Sequence, residues 1–336
     1  MGHDEQEASG LDIVIVSFRC ESLLRDCLAS IRQHPASVPT TVRVIDNASR
    51  DGTEEMVVRE FPEVELTVNE RNRGFAAATN QGLRAGRARF ALILNPDTRV
   101  MVGALDTVLG AMERDGRIGI AGPRLVLEDG SFDHAAKRSF PTPVSALGHF
   151  SGVGRRRGAR GPLAAYRAPD VDSGEVDAVN GAFMLIRRSA LDEVGFFDEG
   201  YWMYMEDLDL SYRMKQAGWL TWFEPSAEVI HVKGGTSGPV RSPRLEYAFH
   251  YGMWRFYRTH YAAARGRVVN ATIYAGIAAK LAWAVVSAPF RRLNRVRAQP
   301  RAAGDGAGEG AGEGASPGCV RGPGRASGPA PPPGRS

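Results

Sequence analysis

Residues 11–47 read "LDIVIVSFRCESLLRDCLASIRQHPASVPTTVRVIDN", and the order of the apolar runs in this stretch decides the fold class. The runs "LDIVIVSF" (11–18) and "TVRVIDN" (41–47) are short and rich in β-branched residues, which is typical of buried strands. Between them, "ESLLRDCLASIRQH" (21–34) repeats its apolar residues at helical spacing. The stretch therefore predicts a strand, a helix and a second strand.

The same alternation continues along the chain. We predict a helix from about Thr53 to Glu60, a strand over 64–70, a helix that starts near Gly74 and a strand in "FALILN" (90–95). Strands that alternate with helices at this period form a parallel sheet with helices on both faces. The prediction is an α/β fold with a Rossmann-like, mostly parallel sheet flanked by helices.

The downstream pattern is less regular. We predict a strand and hairpin over 118–132, a strand that runs into a helix over 176–191, a helix over 205–218, and strands in "WLTWFEP" (219–225) and "AEVIHVKGG" (227–235). From Arg244 the chain turns helical and aromatic. The predicted organisation is a disordered N-terminus (1–10), one catalytic-type domain (11–243), a helical, basic C-terminal extension (244–299) and a disordered tail rich in Gly, Pro and Ala (300–336).

Polar residues follow each of the first four predicted strands. Ligands of open α/β sheets bind at the carboxyl ends of the strands, so agreement among four strand ends predicts one site. The candidate residues at these ends are Ser17, Asp46, Asn47, the segment from Asn69 to Gly74 that contains Asn72, and Asn95 with Asp97.

Two of these clusters have a distinct chemistry. In "VIDNASRDGT" (44–53), Asp46 and Asp51 are either ordinary turn residues or a nucleotide site, because a strand-end Asp can accept the imide N–H of uracil or thymine. In "NPD" (95–97), Asp97 is either a turn residue or a ligand of Mg²⁺ or Mn²⁺. One good carboxylate is enough for a metal that bridges a diphosphate, since phosphate oxygens and water fill the other positions.

Two further clusters lie downstream. Glu206, Asp207 and Asp209 occupy the first turn of a predicted helix, where acids are common, but three acids leave at least one carboxylate for a cleft, as a general base for a hydroxyl group. His231 ends a predicted strand and precedes Lys233 and two glycines. A lone His is usually structural, but this position suits contact with a metal or a diphosphate.

Composition and charge indicate the cellular compartment and the kinds of binding partner to expect. The 336 residues are 43% apolar and carry a net charge of +4, a globular composition. Three cysteines without metal-like spacing predict a reducing, cytoplasmic compartment, and the N-terminus lacks an apolar signal segment. Arginines concentrate in "VGRRRGAR" (153–160) and between Arg255 and Arg301, which favours phosphates or an anionic membrane surface. We expect no nucleic-acid partner.

The stretch "VVNATIYAGIAAKLAWAVVSA" (268–288) has the length of a membrane span, but Asn270, Lys280 and many alanines make spanning costly. Ile273, Ile277, Leu281 and Val285 form a stripe near helical spacing, and "RRLNRVR" (291–297) follows. Two readings stay open: a helix in the membrane interface, or a helix packed on protein. The first predicts peripheral association with the inner face of the plasma membrane.

Seven motifs together carry a resemblance to a known family. They are "VIVSFRCESLLRDCLASI", "VIDNASRDGT", "NRGFAAATNQGL", "LILNPDT", "VNGAFMLIRRSAL", "GFFDEGYWMYMEDLDLSYRMKQAGW" and "AEVIHVKGGTSG". In this order they resemble the family 2 glycosyltransferases of GT-A fold, and most closely the rhamnosyltransferase-like branch. The resemblance covers residues 11 to about 260.

The resemblance implies a metal-dependent, inverting transfer from a nucleoside-diphosphate sugar, with Mg²⁺ or Mn²⁺ as cofactor. It makes Asp207 the catalytic base and Asp97, with His231, the metal site; Asn95 stands where many members have Asp. Ser17, Asp46, Asn47, Asp51, Asn72, Gly74 and Asn95 are then expected to bind the donor. Asn180, Gly181, Glu206, Asp209 and Lys233 are expected beside the acceptor or behind the groups that contact it.

The implied donor is dTDP-L-rhamnose, and the implied acceptor is a polyprenyl-diphosphate-linked GlcNAc or a related cell-wall polysaccharide. Two alternatives remain open. One is a transferase of another sugar onto polysaccharide. The other is a catalytically silent domain of the same fold that binds or scaffolds, against which the complete set of Asp46, Asp97 and Asp207 argues.

Overall fold

The computed structural model describes residues 10–141, 172–232 and 242–298, with side chains up to residue 288. Several sequence predictions lie outside these residues. They are the disorder expected for both ends of the chain, and the predictions made on the arginine-rich stretch 153–160, on Lys233 and on Cys319.

The first half of the chain folds in the predicted alternation of strands and helices. The elements are β1 (Leu11–Ser17), α1 (Glu21–Gln33), β2 (Thr40–Asp46), α2 (Thr53–Glu60), β3 (Glu65–Val68), α3 (Phe75–Ala85) and β4 (Phe90–Leu94). All residues of β1 and β4 are buried, because helices cover both faces of the sheet. The continuous apolar runs of the sequence therefore match strands at the centre of the core.

The second half contains shorter strands and the C-terminal helices. Its elements are β5 (Thr98–Val100), α4 (Ala104–Arg114), β6 (Ile118–Val126), β7 (Lys137–Arg138), β8 (Gly174–Val176), β9 (Ala178–Val179), β10 (Phe183–Arg187), α5 (Arg188–Val194), α6 (Glu206–Gln216), β11 (Leu220–His231), α7 (Pro243–His260), a 3₁₀ turn (Ala262–Ala264) and α8 (Arg267–Ala298). A bridge between Val126 and Phe132 closes the predicted hairpin after β6.

One mixed sheet organises these strands. Its order is β3-β2-β1-β4-β10-β6-β11-β5, with β8 also paired to β11, while β7 and β9 form a separate pair. The first four strands are mutually parallel as predicted, but β10 runs antiparallel to both β4 and β6. The buried run of β10 indicates a central strand in either direction, since apolar periodicity carries no information on strand polarity.

The predicted strands 219–225 and 227–235 are one strand in the structure. β11 runs without a break from Leu220 to His231 and pairs with β6 on both sides of an irregularity between Glu224 and Glu228. Pro225 lies in this bulge, where it breaks no ladder hydrogen bond. The proline thus marks a bulge inside a long strand and not the end of a strand.

The C-terminal helices are tied to the α/β domain by charged and apolar contacts. Arg255 of α7 forms a two-pronged ion pair with Asp198, with nitrogen–oxygen distances of 2.9 and 3.0 Å. Ile273 and Ile277 of α8 pack on Tyr257 of α7. The first half of the predicted apolar stripe in α8 therefore faces protein, whereas Val285 at its end is exposed.

Candidate active site

A cavity of about 830 Å³ lies where the carboxyl ends of the strands meet the C-terminal helices. Among the described residues, five other than glycine adopt positive φ angles, in loops after strands or just before α6: Arg19, Ala48, Arg50, Tyr204 and Met205. Tyr204 and Met205 line this cavity. Such conformations are costly for residues with a side chain, and they concentrate at functional sites. Tyr204 and Met205 directly precede Glu206 and Asp207, so strained backbone sets the direction in which α6 begins.

Asn47 organises the part of the cavity next to β2. Its Nδ2 donates to Asn72 Oδ1 at 3.1 Å and to the Gly74 carbonyl at 3.2 Å. Its Oδ1 accepts from the Arg73 amide at 2.9 Å and from Asn69 Nδ2 at 3.2 Å. Asn47 therefore holds the loop after β3 against the end of β2, which brings the predicted residues Asn47, Asn72 and Gly74 into one wall of the cavity.

Gly74 is required by close packing at this wall. It has φ of +87°, and a Cβ atom there would lie 2.5 Å from the Trp202 ring and from its carbonyl oxygen. The Trp202 carbonyl accepts the amide of Phe75, the first residue of α3, at 2.7 Å. This contact joins the loop before α6 to the start of α3.

Asp46 and Asp51 lie in a second cavity, of about 500 Å³, beside the main one. The Asp46 carboxylate accepts the Ser49 amide at 3.1 Å and the Ser49 hydroxyl. Asp51 accepts the Thr53 hydroxyl at 2.6 Å and its amide at 3.2 Å, so it holds the first residue of α2. The two predicted donor-binding carboxylates are together, but each already has a structural partner.

Asp97 and His231 meet because β5 and β11 are antiparallel neighbours. His231 pairs with Thr98 in the sheet register, which places its ring next to Asp97, with Nε2 3.7 Å from Asp97 Oδ1. Both residues line the main cavity together with Asn95. The predicted metal pair is thus assembled by sheet register across 134 residues of chain.

The structure adds Asp133 to this group. His231 Nδ1 lies 3.0 Å from Asp133 Oδ2. A carboxylate only accepts hydrogen bonds, so Nδ1 donates to Asp133, and Nε2 is the ring nitrogen on the Asp97 side. A carboxylate behind a histidine that faces a cation is a common arrangement in metal sites. Asp133 follows the hairpin of β6, so applying the strand-end rule to that hairpin would have found it.

These residues fit a divalent cation that a diphosphate also binds. Within the described residues no three His, Cys, Asp or Glu side chains form a self-sufficient metal site. Asp97 and His231 supply one oxygen and one nitrogen, a donor set that Mn²⁺ accepts, and the remaining positions suit phosphate oxygens and water.

Asp207 lines the same cavity from the first turn of α6. Its Oδ2 accepts the Gly181 amide at 3.1 Å and a hydrogen bond from Arg138, which completes an ion pair. Arg138 also donates to the Val179 carbonyl at 3.1 Å. Asp207 therefore faces the cavity in a fixed orientation. Arg138 was missed in the sequence because it belongs to a two-residue strand without a recognisable pattern.

The other two acids of this turn have different surroundings. Glu206 lines the cavity, and burial together with the neighbouring Asp207 raises the pKa of Glu206 to about 8. Asp209 points away from the cavity toward α7, where it accepts from His260 at 2.7 Å and from Arg213 at 2.8 Å. Burial opposes ionisation of Asp209, but these partners hold its pKa below the ordinary value. Asp209 does not line the cavity, so of its two expected positions, beside the acceptor or behind the groups that contact it, only the second stays a prediction.

The remaining predicted residues divide similarly. Asn180 and Gly181 line the cavity, and Asn180 Oδ1 accepts the Ala182 amide at 2.9 Å. Ser17 is fully buried, and its hydroxyl contacts Cys20 Sγ at 3.4 Å, so it lines neither cavity. Side chains alternate along a strand, and Val16 and Phe18 are the neighbours that reach the cavity.

Glu206→Gln should change how stability depends on pH. Folded Glu206 keeps its proton up to about pH 8, whereas the unfolded chain releases it near 4.5. The free energy of unfolding of the wild type should therefore fall as pH rises from 4.5 through 8, because the unfolded state binds fewer protons there. The difference in the free energy of unfolding between Glu206→Gln and the wild type should therefore shift in favour of the variant by more than about 1 kcal/mol between pH 5 and pH 9.

Urea unfolding at both pH values measures this effect. Glu70→Gln is the matched control, because Glu70 is exposed. Parallel pH profiles for wild type and Glu206→Gln would contradict the raised pKa.

Two solved structures share this fold. GalNAc-T7 with UDP, GalNAc and Mn²⁺ matches with a TM-score of 0.54 and 17% identity, over 75% of this chain and 48% of that chain. The mannosyltransferase PcManGT from Pyrobaculum calidifontis, in complex with GDP-Man and Mn²⁺, matches with a TM-score of 0.51 and 16% identity, over 86% and 79% of the two chains. The α/β fold is that of the GT-A glycosyltransferases, as predicted.

The family follows from the sequence comparison. The model of glycosyl transferase family 2 matches residues 12–195, more than half of the chain. The chain belongs to glycosyl transferase family 2, which confirms the resemblance drawn from the motifs.

Among curated relatives, N-acetylglucosaminyl-diphospho-decaprenol L-rhamnosyltransferase of Mycobacterium tuberculosis (strain H37Rv) is 35% identical over 260 residues, which are 72% of this chain and 81% of the relative. Poly-beta-1,6-N-acetyl-D-glucosamine synthase of Staphylococcus aureus (strain COL) is 22% identical over 246 residues. The match covers 72% of this chain but only 54% of the synthase. The similarity is therefore greater, and more complete, to the rhamnosyltransferase.

Proposed function

We propose that this glycosyltransferase moves L-rhamnose from dTDP-L-rhamnose onto a GlcNAc linked through diphosphate to a polyprenyl lipid, with inversion at the anomeric carbon. One observation carries the proposal: a single cavity places the Asp97–His231 pair and Asp207 around a common space. The relative at 35% identity is named as an L-rhamnosyltransferase of N-acetylglucosaminyl-diphospho-decaprenol. The alternative, another nucleotide sugar and a polysaccharide acceptor, is supported by the synthase relative at 22% identity.

Different cavity residues act on the two reacting groups, the acceptor hydroxyl and the donor diphosphate. Asp207 accepts the proton of the acceptor hydroxyl while that oxygen forms a bond to the anomeric carbon. The bond from the anomeric carbon to the donor diphosphate breaks, and the nucleoside diphosphate leaves from the opposite face. A single displacement of this kind gives one inversion. The Gly181 amide and Arg138 keep the Asp207 carboxylate aimed at the acceptor.

Asp97 and His231 would hold a Mg²⁺ or Mn²⁺ ion, which when bound supplies positive charge beside the leaving diphosphate. Asp133 keeps the His231 ring in the orientation for that contact. Asn47, Asn72, Gly74 and Asn95 form the wall on which we place the rest of the donor, with the nucleoside base near Asp46 and Asp51. Ser49 already donates to the Asp46 carboxylate. The nucleoside base can therefore bind Asp46 only if it shares the carboxylate with Ser49 or displaces the Ser49 side chain.

The test is a transfer assay with a panel of donors and one defined acceptor. Wild-type protein with Mn²⁺ is given dTDP-L-rhamnose, UDP-GlcNAc or GDP-mannose, each with a GlcNAc-diphosphate lipid. We expect product only with dTDP-L-rhamnose, and NMR of the new linkage should show the anomeric configuration opposite to that of the donor. Product from UDP-GlcNAc alone would favour the alternative, and retained configuration would exclude the displacement by one step.

We also propose a peripheral location at an anionic membrane surface. Residues Arg267–Ala288 of α8 are, among the described residues, the stretch long and apolar enough to span a membrane. The inner face of this helix lines the catalytic cavity, whereas Trp283 and Val286 on its outer face are 73% and 63% exposed. A helix with one face on protein and exposed apolar residues on the other suits the membrane interface. The basic stretch 291–297 follows it in the sequence.

A Trp283→Ser/Val286→Ser double variant should lose most of its flotation with anionic liposomes. The expected reason is the loss of the apolar surface that inserts below the headgroups. A Val58→Ser/Val102→Ser double variant is the control, because these valines are also exposed but lie on the α/β domain. Equal flotation of wild type and the Trp283/Val286 variant would remove this face of α8 from the proposal.

A further inference from the structure

One wall of the main cavity is formed by α7 and α8. Leu245, Phe249 and Met253 of α7 line it at spacings of four residues, so they lie on one face of that helix. Ile273, Ile277 and Lys280 of α8 line it at spacings of four and three residues, again on one face. Two helices therefore turn matching apolar stripes toward the same space.

This part of the cavity does not resemble a nucleotide-sugar site. Hydrophilic ligands need directed polar groups, and the Asn and Asp side chains that line the cavity belong to the strand-end loops and the start of α6. The described lining residues of α7 and α8 include no Asn or Asp; they present Leu, Phe, Met and Ile side chains, and their polar groups are those of Arg244, His250, Tyr257 and Lys280. An apolar portion of the second substrate matches such a wall, since burying its surface is favourable.

A cation accompanies the apolar wall. Three Lys or Arg side chains among the described residues line the cavity: Arg138, Arg244 and Lys280. Arg138 belongs to β7 and Arg244 to α7, whereas Lys280 belongs to α8. Lys280 lies three residues beyond Ile277, about 4.5 Å along the helix axis. The stripe of α8 thus joins an apolar surface to a positive charge.

We infer that the space between α7 and α8 is the subsite for the lipid carrier of the acceptor: the isoprene units next to the diphosphate pack on Ile273, Ile277 and Met253, and Lys280 binds the diphosphate. This inference rests on the proposed function. The C-terminal helices then belong to the active site, because they place the acceptor sugar at Asp207. An unbranched detergent-like ligand without a diphosphate would use the apolar wall but not Lys280.

The first test measures binding without transfer. Farnesyl diphosphate is titrated into wild-type protein and variants by calorimetry. Ile277→Asn and Lys280→Gln should each weaken binding at least tenfold. Val268→Asn and Arg267→Gln are matched controls, because both residues of the same helix are exposed, and they should leave binding within twofold. If Ile277→Asn lowers the melting temperature, Ile277→Ala is measured in its place.

The second test compares two acceptors that differ only in the lipid. GlcNAc-diphosphate carries either a farnesyl or a methyl group. Ile277→Asn should raise KM for the farnesyl acceptor at least tenfold and KM for the methyl acceptor less than threefold. Lys280→Gln should raise both. Equal changes for both acceptors with Ile277→Asn, or unchanged farnesyl diphosphate binding in both variants, would overturn the subsite.

The two tests separate this subsite from the proposed function. If farnesyl diphosphate binds and both variants weaken it while no rhamnose is transferred to any acceptor, the subsite stands and the proposed reaction is wrong. If rhamnose is transferred but neither substitution changes the affinity for farnesyl diphosphate, the proposed reaction stands and the subsite is wrong.

Discussion

Asp207→Asn should abolish transfer while leaving donor binding nearly intact. The amide keeps the shape of the side chain and can still accept the Gly181 amide, but it cannot take up the proton of the acceptor hydroxyl. Loss of a general base lowers the turnover number by about 10²–10⁴-fold. Donor affinity, measured by titration calorimetry with dTDP-L-rhamnose and Mn²⁺, should change less than about threefold, because Asp97 and the Asn47 wall remain. Turnover within about tenfold of wild type would exclude Asp207 as the base.

Asp209→Asn is the matched control on the same helix turn. Its carboxylate holds His260 and Arg213 and lies outside the cavity, so the expected result is a lower melting temperature with a nearly unchanged turnover number for the folded fraction. Asp207→Asn should therefore lose turnover, whereas Asp209→Asn should lose thermal stability. A loss of turnover in Asp209→Asn without loss of stability would mean that α6 presents a different acid to the acceptor.

The strand-end rule explains why much of this site was predictable. Buried strands are recognisable from apolar runs, and parallel strands align their carboxyl ends, as Ser17 with Asp46 and Asp46 with Val68 in the register. Asn47, Asn72, Asn95 and Asp97 therefore converge without any knowledge of distances. The rule gives the edge but not the side of the strand, so it included the buried Ser17.

Helix faces and short elements were less predictable, for physical reasons. Glu206, Asp207 and Asp209 lie within one turn, and only the packing of α6 against α7 shows that Asp209 faces inward to His260. The stripe of α8 has the same periodicity whether it faces a membrane or a protein wall. Arg138 and Asp133 come from a two-residue strand and a hairpin end, whose positions depend on contacts between segments far apart in sequence.

Asp97→Ala should reduce divalent-metal binding and donor binding together. Asp97 is buried in the cavity wall and lies 3.7 Å from His231 Nε2, so its removal leaves a single nitrogen ligand. Mutation of groups behind metal ligands costs about 10–100-fold in affinity or activity, and loss of a direct ligand is expected to exceed about 100-fold. Mn²⁺ titration followed by electron paramagnetic resonance, with dTDP present, measures metal binding independently of turnover.

Asp133→Asn tests the orientation of the His231 ring by Asp133 separately from metal binding by Asp97 and His231. The amide oxygen can still accept from His231 Nδ1 but carries no charge, so we expect a loss of Mn²⁺ affinity of about tenfold, smaller than that of Asp97→Ala. Asp129→Ala in the same hairpin is the control, because Asp129 is exposed and bonds only Ser131 among the described contacts. If EDTA leaves wild-type activity unchanged, the metal role of Asp97 and His231 is wrong. If Asp133→Asn matches Asp129→Ala, the carboxylate behind His231 supports the hairpin and not the metal pair.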